Sequence, residues 1–525
     1  MDIARCNRLD SCDMGGHTVM NNAWLTYLGV LPLLGALLVG VLPEKNVLLI
    51  KRVAFGTTLV VAAVAIAMAT RFQRDNVNLQ FVEKHQWIPS LGINYAVGVD
   101  GIALVLILLS VLLAPVVVLA GWNEATGGRW GVKTFYVLML VLETMMIGVF
   151  ASTDVFLFYV FFEAMLIPVY FLIGGYGSGA RSAAAVKFLI YSLFGGLLML
   201  ASIIALYVLS GDQGGHTFDI NALSHLHMSS TTENLLFLGF FIAFAIKAPV
   251  WPFHTWLPDA AEAATPGTSV LLLGVLDKVG TFGMIRYCLT LFPHATKTFT
   301  PVILVLAVIS IIYGAFLAIG QKDFKRLIAF TSISHFGFIT MGIFAMTSQG
   351  QSGATLYMFN HGFSTAALFL VAGWMSSRRG SSTISDFGGL QRVTPIMAWV
   401  FFFAGMSSLA LPGLSSFVSE FLVLVGTYTR YPVVAVIGAF GIVLSALYIL
   451  IPVQRSLHGP ITEGNENLPD LNVREKVAIA PVVAVIVFLG FYPSPLLQVI
   501  NPGAAHSIAQ AGFSDPLSSI DKAGK

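Results

Sequence analysis

The stretch NLLFLGFFIAFAIKAPVWPFHTWLPDA (residues 234–260) and the later GTSVLLLGVLDKVGTFGMIRYCLTLF (residues 267–292) decide the fold. Each begins with or contains a hydrophobic run close to the roughly 20 apolar residues that a bilayer-spanning helix needs. Lys247 and Lys278 lie near the middle of these runs. A lysine at that depth costs about 2.5–3.5 kcal/mol on insertion scales, so it is typical of a functional site. The two runs predict membrane helices built around buried amines.

Prolines follow the first lysine at once. Pro249 and Pro252 each remove a backbone N–H and clash with the carbonyl four residues earlier, which predicts a helix break beside Lys247. A broken helix at membrane depth persists only where the freed backbone faces protein or a water-filled cavity. A buried amine beside freed carbonyl groups indicates a protein that moves ions.

The composition agrees with a polytopic membrane protein and excludes other classes. Of the 525 residues, 56% are hydrophobic and only 10% are charged. The net charge of +2 is too small to indicate nucleic-acid binding. The three cysteines, Cys6, Cys12 and Cys288, have no spacing that is typical of zinc or iron–sulfur sites. We therefore expect no redox centre, metal or other cofactor to be bound by this chain.

Hydropathy along the chain predicts an all-α fold with about fourteen transmembrane helices. The run at 395–428 is too long for one straight span and contains Pro412-Gly413, so we expect a second broken helix there. The predicted spans are 23–42, 48–70, 96–120, 132–151, 154–174, 184–209, 234–257, 267–292, 300–319, 324–347, 352–376, 395–428, 432–456 and 474–498.

Basic residues are concentrated in alternate loops. Loops after even-numbered spans hold few of them, and the loop at 210–233 holds none. The positive-inside rule then places the basic loops in the cytoplasm and both termini on the extracytoplasmic side of the cell membrane. The basic residues of the loops after odd-numbered spans are Lys45, Lys51, Arg52, Arg129, Lys133, Arg181, Lys322, Lys325, Arg326, Arg378, Arg379, Arg392, Arg455, Arg474 and Lys476.

An internal repeat is weakly visible, because spans four to eight and nine to thirteen each have a proline-broken third member. Five helices per unit is an odd number, so the two units would be inverted relative to each other, as in many transporters. We expect residues 1–19 to be a dispensable extension, since Met20 directly precedes the first apolar run. The predicted division is an N-terminal tail (1–22), three leading helices (23–120), a first half-channel unit (132–292), a second (300–456), and a last helix with a C-terminal tail (474–525).

Ionisable residues recur singly on successive spans. A purely structural interpretation is open, because a buried Glu–Lys pair can simply hold two helices together and a buried histidine can simply be hydrogen-bonded. A proton relay, by contrast, requires such a succession across the membrane. The candidate residues are Glu143, Glu163, Lys187, Lys247, Asp277, Lys278, His335, His361 and Glu420.

In the relay interpretation, Glu163 and Lys247 have specific roles. An ionised Glu163 close to Lys247 would keep the lysine protonated, because opposite charges stabilise each other where water is excluded. Movement or neutralisation of the carboxylate would release the proton towards Lys278. The pair would then act as a switch.

Four motifs carry a family resemblance. FYVFFEAMLIPVYFLIGGYG (158–177), IKAPVWPFHTWLPDA (246–260), LLGVLDKVGTFGMIRY (272–287) and ALPGLSSFVSEF (410–421) resemble the antiporter-like membrane subunits of proton-pumping NADH:quinone oxidoreductase, respiratory complex I. The match covers about residues 95–430, and GVDG (98–101) fits it too. Within the family, the chain is most similar to the subfamily that has glutamate where the others have lysine on the second broken helix.

The resemblance implies roles for individual residues. Glu163 resembles the essential glutamate of the fifth helix, Lys247 its lysine partner, and Lys278 the central lysine of the eighth helix. His335 and His361 resemble the histidines that join the two half-channels. Glu420 resembles the terminal acid, and Lys187 a sixth-helix lysine of less certain role. Glu143 and Asp277 are possible further members.

One departure from the family pattern is plain. Family members commonly have a second histidine after W-L-P-D-A, whereas this chain has Ala261 there. Any function of that histidine is absent or is carried by Glu262.

The resemblance also implies partners and location. It implies a proton-translocating subunit beside other membrane subunits of the complex, in contact with the lipid bilayer and not with nucleic acid. NADH, flavin, iron–sulfur clusters and quinone would be bound elsewhere in the complex. The alternatives are a subunit of a multisubunit cation/proton antiporter, a subunit of a membrane-bound hydrogenase complex, and a structural scaffold.

Overall fold

The computed structural model describes residues 23–516, and these form a bundle that is almost entirely helical. The predicted all-α, multi-pass class is confirmed. The expectations for residues 1–19, including Cys6 and Cys12, concern positions outside the described residues.

Within residues 23–516, seventeen helices of eight or more residues make up the bundle, with one-turn helices at Ile220–Leu223 and Leu390–Val393 between them. In chain order they are α1 (Trp24–Val41), α2 (Val47–Ala69), α3 (Gly101–Ala120), α4 (Gly131–Ala151), α5 (Val155–Tyr176), α6 (Arg181–Gly211), α7 (Ser230–Lys247), α8 (Trp256–Ala263), α9 (Pro266–Leu291), α10 (Pro293–Ile319), α11 (Phe324–Phe344), α12 (Ser348–Arg379), α13 (Pro395–Ser408), α14 (Ser415–Tyr428), α15 (Pro432–Leu457), α16 (Val473–Phe491) and α17 (Ser494–Gln510).

Both predicted helix breaks are present. The seventh predicted span consists of α7 and α8, separated by residues 248–255, and the twelfth consists of α13 and α14. In the second break, Ala410 and Gly413 have positive φ angles of 60° and 91° on either side of Pro412. The chain thus leaves helical geometry where the prolines predict it.

A test of helix length and hydropathy finds fewer membrane-spanning helices than the sequence predicts. Eleven helices of the described part pass, and α16 with α17, bent by 71°, raises the number to at most twelve. Helix α12 has 32 residues but many polar ones, and α13 and α14 have only 14 residues each. Each predicted span coincides with a helix or a broken pair, but the count of fourteen and the inverted repeat are not confirmed.

Two parts of the structure differ from the prediction. The third span was expected to begin at residue 96, but residues Gln80–Ile88 (β1) and Ile93–Val99 (β2) form an antiparallel hairpin, with Lys84 opposite Ala96. Helix α3 begins only at Gly101, where the Asp100 side chain accepts a hydrogen bond from Ala103 N. A short apolar run does not distinguish a buried strand from the start of a helix. The second difference is α17, which occupies much of the expected C-terminal tail.

The loops gather at two ends of the bundle. On one side, Ser178 N donates to Ala263 O at 2.8 Å and Phe324 N donates to Ser382 O at 3.0 Å. On the other, Leu25 N donates to Glu83 Oε1 and His294 N donates to Glu233 Oε1, both at 2.8 Å. The first set lies in loops after odd-numbered spans, which carry most of the basic residues. We name this end the basic side and the other end the opposite side.

Helices α9 and α11 form the centre of the bundle. Every residue of their most apolar stretches is buried, whereas only a third of the corresponding stretches of α1, α2 and α15 is. These outer helices expose large apolar side chains, as a surface in contact with lipid or other membrane proteins does. Seven of the nine candidate relay residues are buried, and Glu163 and Lys187 are half-buried.

Candidate functional site

Lys247 is the last residue of α7, at the end of the first half of the broken span. The break is stabilised from both sides: Ala248 N donates to Phe244 O at 2.7 Å, and Trp256 Nε1 of α8 donates to Ile246 O at 2.8 Å. The carbonyl end of a helix favours a cation, so this position suits an ammonium group. The local sequence K-A-P-V-W-P therefore places a charge at a helix end inside the bundle.

The ammonium group of Lys247 is completely buried and contacts aromatic rings. Its Nζ lies 5.0 Å from the ring centroid of Phe162 and 5.5 Å from that of Phe188. Among residues 23–516 it has no hydrogen-bond partner. Cation–π contacts of this kind contribute about 0.5–2 kcal/mol each, less than a buried charge requires. The protonation of Lys247 therefore depends on whether a negatively charged group approaches it.

Glu163 is the candidate carboxylate for approaching Lys247. It follows Phe162 on α5, and its charge interacts with that of Lys247, but no ion pair within 4.0 Å joins them in the described structure. Its Oε1 has no described hydrogen-bond partner. The carboxylate packs on Gly196 of α6, where an added Cβ would lie 1.8 Å from Oε1. The expected neighbourhood is present, and a direct contact would require Glu163 to move.

Lys278 is held much more firmly than Lys247. Its Nζ donates to Asp277 Oδ1 at 3.1 Å and to the carbonyl of Leu273, and lies 2.7 Å from His361 Nδ1. Residues Leu272–Leu276 of α9 are a π-helical segment, in which Asp277 N bonds to Leu272 O, five residues earlier. This wider turn redirects the carbonyl groups, which is typical of functional sites in helices. Asp277, left open by the sequence, is thus the ion-pair partner of Lys278.

The two histidines continue from Lys278. The rings of His361 and His335 are 5.2 Å apart, centroid to centroid, and nearly perpendicular. His361 Nδ1 faces an ammonium donor, so a neutral His361 would carry its proton on Nε2, which lies 3.2 Å from Thr365 Oγ1. His335 Nε2 lies 3.0 Å from the hydroxyl oxygen of Tyr448. The structure brings the two predicted histidines into one cluster.

A tyrosine connects the histidines to Glu420. The hydroxyl of Tyr357, on α12, donates to Glu420 Oε2 at 2.9 Å, and its ring centroid is 5.8 Å from that of His335. Glu420 is 5% exposed and lies on α14, just beyond the second helix break. Lys278, His361, His335, Tyr357 and Glu420 therefore form a contiguous series of neighbours.

Lys187 belongs to a separate ionic cluster on the basic side. Its Nζ is 2.7 Å from Asp259 Oδ2, while Arg326 Nη1 is 2.8 Å from both Asp259 Oδ1 and Glu262 Oε2. These four side chains line an open cavity of about 380 Å³ that connects α6, α8 and α11. Glu262, one of the two alternatives for the missing histidine's function, is here an ion-pair partner of Arg326.

A half-buried glutamate in a loop stabilises the same side of the bundle. Glu124, between α3 and α4, accepts from Gly267 N at the start of α9, at 2.9 Å. Burial raises the pKa of this carboxyl, and the hydroxyl of Thr265, the Gly267 N–H and the charge of Lys325 oppose the shift. Glu124 thereby fixes the beginning of the helix that carries Lys278.

Glu143 is not connected to the series. It is 1% exposed on α4, and neither carboxylate oxygen has a hydrogen-bond partner within the described part of the chain. Its suggested participation stays a prediction.

Sequence reasoning missed several members of these clusters. Asp259 and Arg326 were overlooked because they lie at span ends, where charges are ordinary. Tyr357 and Tyr448 were overlooked because a tyrosine in an apolar run is usually a packing residue. His254, 3% exposed within the first break, was also passed over, although its position in P-F-H-T-W was a usable signal. No group of three or more histidine, cysteine, aspartate or glutamate side chains in residues 23–516 is arranged to hold a metal ion.

Fold and site define a class: a multi-pass helical membrane protein with two broken helices and a buried series of ionisable groups. The sequence matches the family described as NADH:quinone oxidoreductase/Mrp antiporter, transmembrane, over residues 152–445. The chain belongs to this family of membrane subunits, which confirms the resemblance of its motifs.

Relatives and solved structures agree with this assignment. The chain is 50% identical to NADH-quinone oxidoreductase subunit M of Mycobacterium tuberculosis, covering 95% of this chain and 97% of that protein. It is 39% identical to subunit M of Rhodobacter capsulatus, covering 87% and 90%. Its fold is similar to a chain of respiratory complex I from Thermus thermophilus with a TM-score of 0.84, 28% identity and coverage of 93% and 100%. The Mrp complex of Dietzia sp., at 21% identity and a TM-score of 0.81 over 94% of this chain and 99% of that one, shares the fold.

Proposed function

We propose that this chain is the M-type, proton-translocating subunit of a NADH:quinone oxidoreductase and that protons move through its buried Glu/Lys/His series. The observation that carries the relay is the contiguity of Lys278, His361, His335, Tyr357 and Glu420. Relatives named subunit M, at up to 50% identity over nearly the whole chain, support the choice of complex over an antiporter. NADH oxidation and quinone reduction would take place in other subunits, which would also hold the flavin and iron–sulfur clusters.

Orientation follows from the loop charges. The basic side faces the cytoplasm, and both termini lie on the extracytoplasmic side of the cell membrane. The cavity at Lys187 and Asp259 then opens to the cytoplasm, and Asp259 lies in the first turn of α8, just after the helix break that follows Lys247. It is the natural entrance for protons on their way to Lys247.

The first step uses the difference between the two lysines. Approach of ionised Glu163 stabilises protonated Lys247, and its withdrawal leaves a buried cation with only aromatic neighbours. The proton then leaves towards Lys278, whose helix α9 packs against α7. Coupling to the redox reaction would act on this step by moving Glu163.

The later steps use the hydrogen-bonded series. Lys278 passes a proton to His361, which already lies at hydrogen-bond distance. His335 and the tyrosine hydroxyls lead on to Glu420, the last acid of the series. Moving one charge against the membrane potential requires about 2.3 kcal/mol per 100 mV, so the path must be gated and cannot be a continuously open wire.

The experiment is a pumping assay in membrane vesicles that contain the assembled complex. Lys247→Ala should abolish proton pumping driven by NADH while the complex still assembles. Lys247→Arg should also impair it, because arginine does not readily release its proton. Near-normal pumping by an assembled Lys247→Ala complex would refute the relay.

Co-purification distinguishes the complexes. The partners of the tagged chain should include the other subunits of NADH:quinone oxidoreductase. Recovery of cation/proton antiporter or hydrogenase subunits instead would refute the assignment to this complex.

A further inference from the structure

Helices α1 and α2 are in close contact at one point. A Cβ added to Gly35 of α1 would lie 2.3 Å from Cγ2 of Thr57 on α2, so no larger side chain fits there. Small residues allow membrane helices to approach this closely. From this contact towards the opposite side of the bundle, a groove lies between the two helices. The contact between Gly35 and Thr57 therefore forms the inner end of the groove.

The groove is apolar and open to the outside of the bundle. Its volume is about 470 Å³. Tyr27 and Leu34 in its wall are 59% and 49% exposed. Atoms that line an empty space lose the dispersion contacts that a neighbour would supply, so an occupant of matching shape is favoured. The lining residues are Trp24, Tyr27, Val30, Leu31 and Leu34 of α1 and Val64 of α2.

The dimensions of the groove fit one acyl chain. Residues 24–34 of α1 rise about 15 Å along the helix, at 1.5 Å per residue. This length is about half of the hydrocarbon core, which is about 30 Å thick, and so corresponds to one leaflet. The volume divided by this length gives a cross-section of about 30 Å², whereas a helix about 10–12 Å in diameter needs at least about 80 Å². The groove is therefore too narrow for a helix of a neighbouring subunit.

The outer end of the groove has a group that suits a phosphate. The guanidinium carbon of Arg71, two residues beyond α2, lies 4.8 Å from the ring centroid of Trp24. Tryptophan and tyrosine are typical of the level where hydrocarbon meets the lipid headgroups, and Trp24 and Tyr27 both lie in the first turn of α1. No carboxylate among residues 23–516 forms an ion pair with Arg71. Its guanidinium can therefore form the paired, charge-assisted hydrogen bonds that arginine makes with phosphate.

We propose that the groove between α1 and α2 binds one phospholipid, with an acyl chain along residues 24–34 and the phosphate on Arg71. The lipid fills the space that the two helices leave and connects the end of α2 to the start of α1. With the orientation proposed above, it belongs to the extracytoplasmic leaflet. The groove and its occupant depend neither on that orientation nor on the proton relay.

Photolabelling of the purified, assembled complex tests the position of the acyl chain. The probe is phosphatidylglycerol with a diazirine in the middle of one acyl chain. After incubation with the probe, the complex is washed in detergent without lipid and irradiated, and the labelled residues of this subunit are mapped by mass spectrometry. Val64→Trp places an indole ring in the groove. Val60→Trp, one turn earlier on α2 and 52% exposed, is the matched control outside the groove lining.

We expect label to be retained on residues 24–34 in the unmodified complex and in Val60→Trp, and to be at least fivefold lower in Val64→Trp. NADH:quinone activity verifies that both variants are assembled. Absence of retained label on residues 24–34 of the unmodified complex would overturn the proposal, because the groove would then be covered by protein or would exchange lipid freely. Equal label in the two variants would overturn it as well.

A second measurement tests the phosphate contact. Arg71→Ala should lower the labelling of residues 24–34 by the phosphatidylglycerol probe at least threefold. Arg74→Ala is the control, because the Arg74 guanidinium donates to Gln498 Oε1 at 2.7 Å and should not affect the labelling. A diazirine-containing fatty alcohol, which has no phosphate, should label both variants equally. Equal labelling of both variants by phosphatidylglycerol would contradict the phosphate contact.

Discussion

At the residue scale, the two buried lysines differ in what surrounds each ammonium group. Lys278 has a carboxylate, a carbonyl and an imidazole within hydrogen-bond distance, whereas the Lys247 ammonium group has no hydrogen-bond partner among the described residues and lies against aromatic rings. A partnered cation is stable at rest, and an unpartnered one depends on a mobile counter-charge. In the proposed relay, Lys247 is therefore the lysine whose protonation an external signal changes most easily, and movement of Glu163 would supply that signal.

The position of Glu163 can be tested through its neighbour on α6. In Gly196→Ala the new Cβ would overlap Oε1, so the carboxylate must turn away. We expect proton pumping to fall at least about tenfold, equivalent to about 1.4 kcal/mol in the rate-limiting step, in an assembled complex. Gly174→Ala on α5, whose Cβ would meet only ordinary contacts at 3.5 Å, is the control. Equal pumping by both variants would show that the placement of Glu163 is unimportant.

Two substitutions of Glu420 distinguish a proton-carrying role from a structural one. Glu420→Gln keeps the shape and can still accept the hydrogen bond from Tyr357, but it cannot carry a proton. We expect Gln to abolish most pumping and Glu420→Asp to retain a substantial part, measured as protons per NADH in vesicles. If Gln pumps as well as the unmodified complex, Glu420 is structural and the series ends at the histidines.

At the element scale, the cluster around Asp259 links three helices at the basic side. Asp259 binds both Lys187 of α6 and Arg326 of α11, while Glu262 binds only Arg326. These side chains are about a third or more exposed, so each pair contributes at most about 1 kcal/mol to stability. They line the cavity, so in the proposed function their role is to order the entrance, and they contribute little to the stability of the fold.

Asp259 has two ion-pair partners and Glu262 has one, so substitutions of these two residues form a matched pair. Asp259→Asn should slow turnover several-fold and leave assembly intact, because it releases Lys187 and Arg326 together. Glu262→Gln should change turnover less than twofold. The readout is NADH:quinone activity with a proton-pumping assay in the same vesicles. A larger effect from Glu262→Gln would contradict this description of the entrance.

The breaks themselves were predictable from sequence, and their stabilisation was not. Pro249, Pro252 and Pro412 each remove a backbone N–H and clash with the carbonyl four residues earlier, which favours a break. Proline alone is not sufficient, because Pro115 lies within the unbroken helix α3. The bond from the Trp256 indole to Ile246 O depends on how the two halves fold back on each other. Hydropathy likewise does not predict the two π-helical turns of α9.

At the scale of the whole molecule, the sequence predicted which helices would exist and which would carry charge, but not the partners of those charges. Lys278 and His361 are 83 positions apart in the chain, and their contact at 2.7 Å depends on how α9 and α12 pack. Hydropathy alone does not identify helix α12 as a membrane span. Most of its residues are buried in the bundle, but it contains too many polar residues to pass the test. The hairpin before α3 shows the limit of periodicity in short apolar runs.

The central claim is that protons pass through Lys278 on their way across the bundle. The measurement is the number of protons pumped per NADH by vesicles that contain assembled complex with Lys278→Met, which keeps the side-chain length and removes the ammonium group. Lys297→Met, an exposed lysine at the opposite side, is the control. The account predicts that Lys278→Met pumps far fewer protons per NADH than the control. An unchanged number would contradict it.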